Sequence, residues 1–368
     1  MTLLLYAAPE KSADLFHAIP AGIGDPFLYA EDDGRRVAFI SVLDADKARA
    51  AGVEVRDPTL LGRDELLASG AGPLAIEVEL CLRACRDLGL EAVRVPADFP
   101  LAVADHLRGG GIDVAVDDDA FVARRRRKTP EQIAGLRRAQ RAADAAMGMA
   151  AALIHELRPG LTSEDVRVAM AAFCAEHGAE LPEDVIVAHG EQGARGHDTG
   201  SGPIGAGEPV VVDIWPRDTA SRVYADMTRT FVAGGGAPPD ELRAYWEATR
   251  AALDAVMPGV RAGASARALF EASCESYHAI GQPTQLSKEP GTVLEDGYFH
   301  SLGHGIGLEV HERPYLGRGP DVLVAGDAIT IEPGCYRRGF GGCRLEDLVL
   351  VTEDGCEVLT DFPYDLSP

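Results

Sequence analysis

At 368 residues the chain is too long for a single small core and calls for about two domains. Its 46% hydrophobic and 25% charged content is that of a globular protein in water, not of a disordered or membrane-embedded chain. A formal charge of −23 repels phosphate backbones and anionic lipid, which excludes nucleic acid and membrane as partners. What remains is a solvated acidic surface, or acids gathered around a cation.

No stretch has the length of a transmembrane helix. The opening "MTLLLYAAPEK" has no basic region before its apolar run, so it does not read as a signal peptide. Through the first third, "VAFISV" (37–42), "LAIEV" (74–78) and "DVAVD" (113–117) read as strands, and "ELCLRACRDLGL" (79–90) as an amphipathic helix closed by Gly89. A small α/β domain over residues 1–125 follows, without any ligand cluster. The seven cysteines are odd in number and form no CxxC pair, so free thiols in a reducing cytoplasm are expected.

"RRRRKTPEQI" (124–133) is one basic run in an acidic chain and reads as an exposed linker, not a nucleic-acid patch. Thr129 and Pro130 suit the N-cap and first residue of a helix, which the Ala-rich stretch carries to Leu157. A second domain therefore spans residues 126–368.

That domain contains an internal echo. "LRPGLTSEDVRVAMAAFCAEHG" (157–178) and "VMPGVRAGASARALFEASCESYHAIG" (256–281) each give a Pro-Gly turn, a Ser-led helix start and a helix ending at Gly. "GEPVVVDIW" (207–215) aligns with "GDAITIEPG" (326–334), setting Asp213 over Glu332. "YADMTRTFV" (224–232) aligns with "CRLEDLVLV" (343–351), setting Asp226 over Glu346. Apolar runs ending in a carboxylate are expected of buried strands, and a buried carboxylate is costly unless paired or bound to a cation. Two such hairpins about an approximate two-fold would bring four acids to one place. Ion pairs with Arg217, Arg222, Arg229 or Arg344 could satisfy one or two of them, but not the match across the duplication.

Between the hairpins lies "YFHSLGHGIGLEVHE" (298–312), with three histidines and two glutamates. Gly303, Gly305 and Gly307 exclude a stable helix and hence an HExxH zinc helix. They would let the backbone pack closely at a crowded site around His304, with "LEVHE" continuing as a strand. Four carboxylates, one imidazole and no thiolate set suit a pair of divalent ions: manganese first, with zinc, cobalt or iron as alternatives. Two close ions can share a hydroxide and polarise a carbonyl, which points to hydrolysis.

The order Asp213, Asp226, His304, Glu332, Glu346 resembles the five metal ligands of the "pita-bread" metallopeptidases, which include Xaa-Pro aminopeptidase, prolidase and methionine aminopeptidase. The likeness rests on "VVDIW", "ADMTRTF", "HSLGHGIGLEVHE", "IEPGCY" and "CRLEDLVLV" and covers roughly residues 127 to 362. It implies an α/β (α+β) protein with a small creatinase-like N-terminal domain before a duplicated catalytic domain. By position, Asp213 would chelate one ion and His304 with Glu332 the other, with Asp226 and Glu346 bridging. Glu332 would also relay a proton. His197, in "RGHDTGSG", His300 and His311 match family histidines that hold substrate and stabilise the transition state, and Arg344 matches an arginine near the metals. The implied activity is dinuclear hydrolysis, by a bridging hydroxide, of the bond preceding proline in Xaa-Pro peptides or dipeptides. The implied assembly is a homodimer whose N-terminal domains narrow each other's sites.

A metal-independent, creatinase-like amidinohydrolase and an inactive binding protein of the same fold are the competing readings. Relatives of those kinds have lost several of the five ligands, whereas all five stand here. Two features depart from the family pattern. The loop "IWPRDTASRVYA" between Asp213 and Asp226 is long, which makes its arginines candidates for the mouth of the site, and the N-terminal domain lacks a "YLTGF"-like segment.

Overall fold

Leu3–Ala7, the apolar run at the start of the chain, is a strand (β1) at the inside of a six-stranded sheet. Leu4 and Leu5 point to opposite faces, each into its own apolar cluster, so the strand is covered on both sides and reads as a continuous apolar run. The computed structural model describes residues 1–367 and divides into two compact units, Met1–Arg125 and Arg126–Pro368.

In the first unit the other strands are β2 (Phe27–Asp32), β3 (Arg35–Phe39), β4 (Glu54–Arg56), β5 (Ala92–Val95) and β6 (Asp113–Val116), in the order β4-β3-β2-β1-β5-β6. Its helices are α1 (Ala13–Ala18), α2 (Ala45–Ala50), α3 (Arg63–Ala68), α4 (Pro73–Asp87), α5 (Leu101–Gly109) and α6 (Asp118–Arg126). Residues 74–78, expected as a strand, are instead the first turns of α4. Pro73 fits the first helical position, and Val78, Cys81, Leu82 and Cys85 recur at three and four residues to form one buried face. Gly89, at φ 68°, ends that helix as expected.

The basic run is not an exposed linker either. Arg124 to Arg126 close α6 and are half-buried in ion pairs. Within the first unit Arg124 meets Glu31 at 2.6 Å and Arg125 meets Asp14 at 3.0 Å. Within the second, Arg126 meets Asp327 at 2.6 Å and Lys128 meets Glu312 at 2.9 Å, both partners of the latter almost fully buried. The acids absorb the charge that sequence alone left in solvent.

The second unit opens with α7 (Pro130–Glu156), where Thr129 and Gln132 form a capping box. Then come α8 (Ser163–Glu176), β7 (Ala179–Glu180), β8 (Ile186–His189), β9 (Pro209–Ile214), β10 (Arg217–Asp218) and β11 (Met227–Val232). The later half comprises α9 (Asp240–Val256), α10 (Ala266–His278), β12 (Gly303–Gly305), β13 (Glu312–Leu316), β14 (Ala328–Ile331), β15 (Gly334–Arg337), β16 (Gly341–Arg344), β17 (Asp347–Val351) and β18 (Cys356–Val358). One sheet runs β11-β9-β8 and another β13-β12-β14-β17-β18. Each is covered by a helix pair, α7 with α8 and α9 with α10, over its own apolar core. The cap of α8 is Thr162, one residue before the expected serine, while Ser265 caps α10 as read.

The two hairpins differ in register. Asp213 lies opposite Thr228, whereas Ile331 lies opposite Asp347, so Glu332 and Glu346 face each other just beyond the paired residues. "LEVHE" is also not a continuous strand: residues 308–311 bend, and β13 begins at Glu312. The bend reverses the chain so that β13 pairs antiparallel with β12. All seven cysteines are free, six of them buried. Among the described residues no helix is long and apolar enough to cross a membrane.

Candidate metal centre

Both acid-bearing strands of the first hairpin, β9 and β11, are buried at every residue, which is why their sequences are apolar almost throughout. Asp213 is set in β9 and Asp226 just before β11. In the other sheet His304 is the middle residue of β12, Glu332 follows β14 and Glu346 precedes β17. An added Cβ at Gly303 would lie 2.0 Å from the Thr330 carbonyl oxygen, and one at Gly305 2.4 Å from that of Arg313. Only glycine lets the neighbouring strands close this tightly around His304.

All nine residues singled out in the sequence line one cavity of about 800 Å³: Asp213, Asp226, His304, Glu332, Glu346, His197, His300, His311 and Arg344. Asp226, His304 and Glu346 each offer a ligand atom within 4.8 Å of the others. His304 Nε2 lies 3.8 Å from Asp226 Oδ2 and 3.5 Å from Glu332 Oε1. Its Nδ1 donates to the Gly305 carbonyl at 3.0 Å, leaving Nε2 with a lone pair aimed at the acids. Burial first, and the nearby His311 second, lower the His304 pKa to about 4 and keep the ring neutral.

The acids are out of balance without a cation. Burial, then repulsion from Asp213 and Glu332, pushes the Asp226 carboxyl well above the usual range. Burial, then Asp226, does the same to Glu346. Glu332 is pushed up to about 7, mainly by burial. Among the arginines, Arg217 goes to Glu180 and Arg229 to Asp347, while Arg344 meets Asp213. Pairing with arginine therefore accounts for Asp213 but leaves Asp226 Oδ1 buried without a hydrogen-bond partner. An orphaned carboxylate oxygen beside an imidazole lone pair and further acids fits a divalent cation.

His300 is lowered to about 3 by burial and by the Arg344 charge. Its Nδ1 donates to the Ser301 carbonyl at 2.8 Å, and its Nε2 accepts from the Tyr336 hydroxyl at 3.0 Å. Arg344 Nη1 in turn donates to that hydroxyl at 2.9 Å. The His311 ring lies 4.3 Å from that of His304, and burial lowers its pKa too. His197 sits exposed on the cavity rim.

Sequence reasoning missed Thr228, Trp215 and Tyr336. The Thr228 hydroxyl lies 2.8 Å from both Asp213 Oδ1 and Glu346 Oε2. Trp215 lines the cavity with Phe299 and Tyr315. Counting by two along the strands, from Asp226 to Thr228 and from Asp213 to Trp215, would have found the first pair. Nothing in the sequence marks Tyr336. In the long loop it is Trp215 that lines the cavity; Arg217 is turned to Glu180 and to the Tyr224 ring. Asp218 is held by Arg138 at 2.9 Å.

The profile of metallopeptidase family M24 matches residues 134–353. An Xaa-Pro dipeptidase of Pyrococcus furiosus is 35% identical over 256 residues, 68% of this chain and 67% of that protein. A probable dipeptidase PepE of Mycobacterium tuberculosis is 36% identical over 279 residues, 74% of this chain and 68% of that protein. Among solved structures, an Xaa-Pro dipeptidase from Bacillus anthracis superposes with a TM-score of 0.81 at 25% identity, over 99% of this chain and 94% of that one.

Proposed function

The chain belongs to metallopeptidase family M24 and has the prolidase-type pita-bread fold; from that premise we propose that it hydrolyses the bond preceding proline in Xaa-Pro dipeptides with two divalent ions. Asp213, Asp226, His304, Glu332 and Glu346 would hold the ions, with manganese as the preferred metal. Bound there, such ions supply a Lewis acid for the scissile carbonyl and lower the pKa of water.

The chain's own residues supply the rest. Glu332 is the acid most open to the cavity, its side chain 17% exposed against 5% for Asp226 and 12% for Asp213. That access suits it to hold a proton and pass it to the leaving nitrogen. His311, uncharged at neutral pH and beside His304, is placed to hydrogen-bond the substrate. His300 is held by Ser301 and Tyr336 in one orientation, which keeps the wall beside Arg344 fixed. Trp215, Phe299 and Tyr315 offer aromatic surface suited to a proline ring.

The observation that carries this reading is the buried, partnerless Asp226 Oδ1 among acids that repel one another. The test is release of free proline from Xaa-Pro dipeptides by purified, manganese-loaded protein, with longer Xaa-Pro peptides and Xaa-Ala dipeptides alongside. Activity should favour the Xaa-Pro dipeptides and vanish in Asp226→Asn. Full activity after exhaustive chelation, or in that variant, would rule the reading out.

A further inference from the structure

Asp226 and Glu346 stand at the heads of strands that belong to different sheets, β11 with β9 and β17 with β14. Among the described residues no strand ladder joins β11 to β17. The separation of these two carboxylates must therefore be set by other bonds. Some are short local links: the Glu346 N–H donates to the Thr228 carbonyl at 3.0 Å, the Arg344 N–H donates to the Thr230 hydroxyl at 3.0 Å, and the Thr228 hydroxyl lies 2.8 Å from Glu346 Oε2.

A further link is a buried ion pair. Arg229 is 1% exposed and Asp347 fully buried. Arg229 Nη1 donates to the Thr228 carbonyl at 2.9 Å and to the Glu346 carbonyl at 2.7 Å, spanning the two sheets. Nη2 donates to Asp347 Oδ1 at 3.0 Å and to the Phe362 carbonyl at 2.8 Å, and Nε to the Pro363 carbonyl at 2.9 Å. Every guanidinium N–H is thus used. The remaining Asp347 oxygen accepts from the Tyr364 hydroxyl. The Tyr364 ring lies 4.4 Å from the Arg229 guanidinium carbon and 3.9 Å from that of Arg250.

A buried ion pair seldom adds stability over well-packed apolar residues. The duplication supplies that comparison internally. Aligning Asp226 with Glu346 puts Val349 where Arg229 stands and Met227 where Asp347 stands, and both are fully buried. The same fold packs apolar side chains at the equivalent places. Unlike Met227 and Val349, which flank the same two acids, the charged pair also hydrogen-bonds to segment 362–364.

We infer that Arg229, Asp347 and Tyr364 form a clamp that sets the separation of Asp226 and Glu346, so that segment 362–364 is a positioning element of the metal centre. The inference rests on the assignment of those two acids as metal-holding groups. Its test is titration calorimetry of Mn²⁺ into the metal-free full-length protein, with thermal melting of the same samples. Tyr364→Phe keeps the ring and removes one hydrogen bond; it should bind Mn²⁺ roughly tenfold more weakly, and Asp347→Asn more weakly still. Met170→Ala, a cavity in α8 away from the site, should lower the melting temperature and leave Mn²⁺ affinity unchanged. Unaltered affinity in Tyr364→Phe, or an equal loss in Met170→Ala, overturns the clamp. Asp226→Asn separates the two claims: if it retains normal Mn²⁺ binding, the ligand assignment fails first.

Discussion

In the hairpin of β9 and β11, Asp213 sits within the ladder opposite Thr228 and is met by Arg344. In the hairpin of β14 and β17, Glu332 and Glu346 lie beyond the ladder's last pair, and their longer side chains reach back to the same cavity. Asp226 too lies just outside its ladder, whose last pair is Met227 with Ile214, so of the four acids only Asp213 sits within a strand. Charge is distributed unevenly as well. The arginine that precedes Glu346 neutralises an acid of the other hairpin, leaving Glu346 against Asp226. The duplication thus repeats the placement of carboxylates without repeating the strand register or the counter-charge.

The strongest challenge to this contrast comes from removing single charges. Glu346→Gln and Asp226→Asn should each lower kcat/KM by on the order of a thousandfold or more, since several kcal/mol of transition-state stabilisation is lost. The same substitutions should raise the melting temperature of the metal-free protein, because each replaces a repelled, buried carboxyl with a neutral amide. Arg344→Met should do the opposite to stability. It strands Asp213 unpaired and should remove about 3–5 kcal/mol from the metal-free protein in urea unfolding. Matching signs for Arg344→Met and Glu346→Gln would show that the hairpins are not differently charged.

Much of this arrangement is legible in one sequence because a buried acid must end an otherwise apolar run, as Asp213 does after "PVVV" and Glu332 after "AITI". The Thr129 cap and the Gly89 stop are legible for the same kind of local reason. Residues 74–78 failed because five residues cannot separate period two from the opening of a longer helix. The basic run misled because its partners, Glu31, Asp14, Asp327 and Glu312, are distant in the chain. "LEVHE" misled because a bend at residues 308–311 depends on contacts outside the segment. Tyr336 owes its role to hydrogen bonds with His300 and Arg344, and Arg229 to one that crosses between sheets, none of which a local pattern reports.

A smaller effect separates the acids by pH. The Glu332 carboxyl rises from an ordinary 4.5 to about 7 on folding, and those of Asp226 and Glu346 rise too. Below pH 4.5 the folded and unfolded chains both hold the Glu332 proton, so nothing is lost. Between that pH and about 7 the unfolded chain ionises while the folded one retains the proton, so stability falls as pH rises. The buried His300 and His304, held neutral, act the opposite way below pH 6.5, so the test compares two proteins. From pH 5 to pH 7.5 the metal-free Glu332→Gln variant should escape about 3 °C of the fall in melting temperature that Glu332 causes in the unsubstituted chain. Saturating Mn²⁺, which favours the ionised acids, should abolish or reverse that fall. Metal-free profiles that coincide for the two proteins would mean that Glu332 is not crowded as the hairpin geometry requires.

The smallest expected effect falls where the two hairpins share one group. Thr228 has a single hydroxyl hydrogen, yet its oxygen lies 2.8 Å from carboxylate oxygens of both Asp213 and Glu346, and it accepts from Arg344 Nε at 3.1 Å. One of the carboxyls must then carry its own proton. Glu346, pushed up by burial and by Asp226, is the one placed to donate it to Thr228. A divalent ion that binds Glu346 ionised must break this bond, so the hydroxyl stabilises the metal-free state as well as orienting the acids. Thr228→Val keeps the shape and removes the bridge. It should lower metal-free stability by about 1 kcal/mol and change Mn²⁺ affinity less than Tyr364→Phe does, because the gain from releasing Glu346 offsets the loss of orientation. If Thr228→Val instead weakens Mn²⁺ more than Tyr364→Phe, the hydroxyl serves the ionised acids, and the proton does not reside on Glu346.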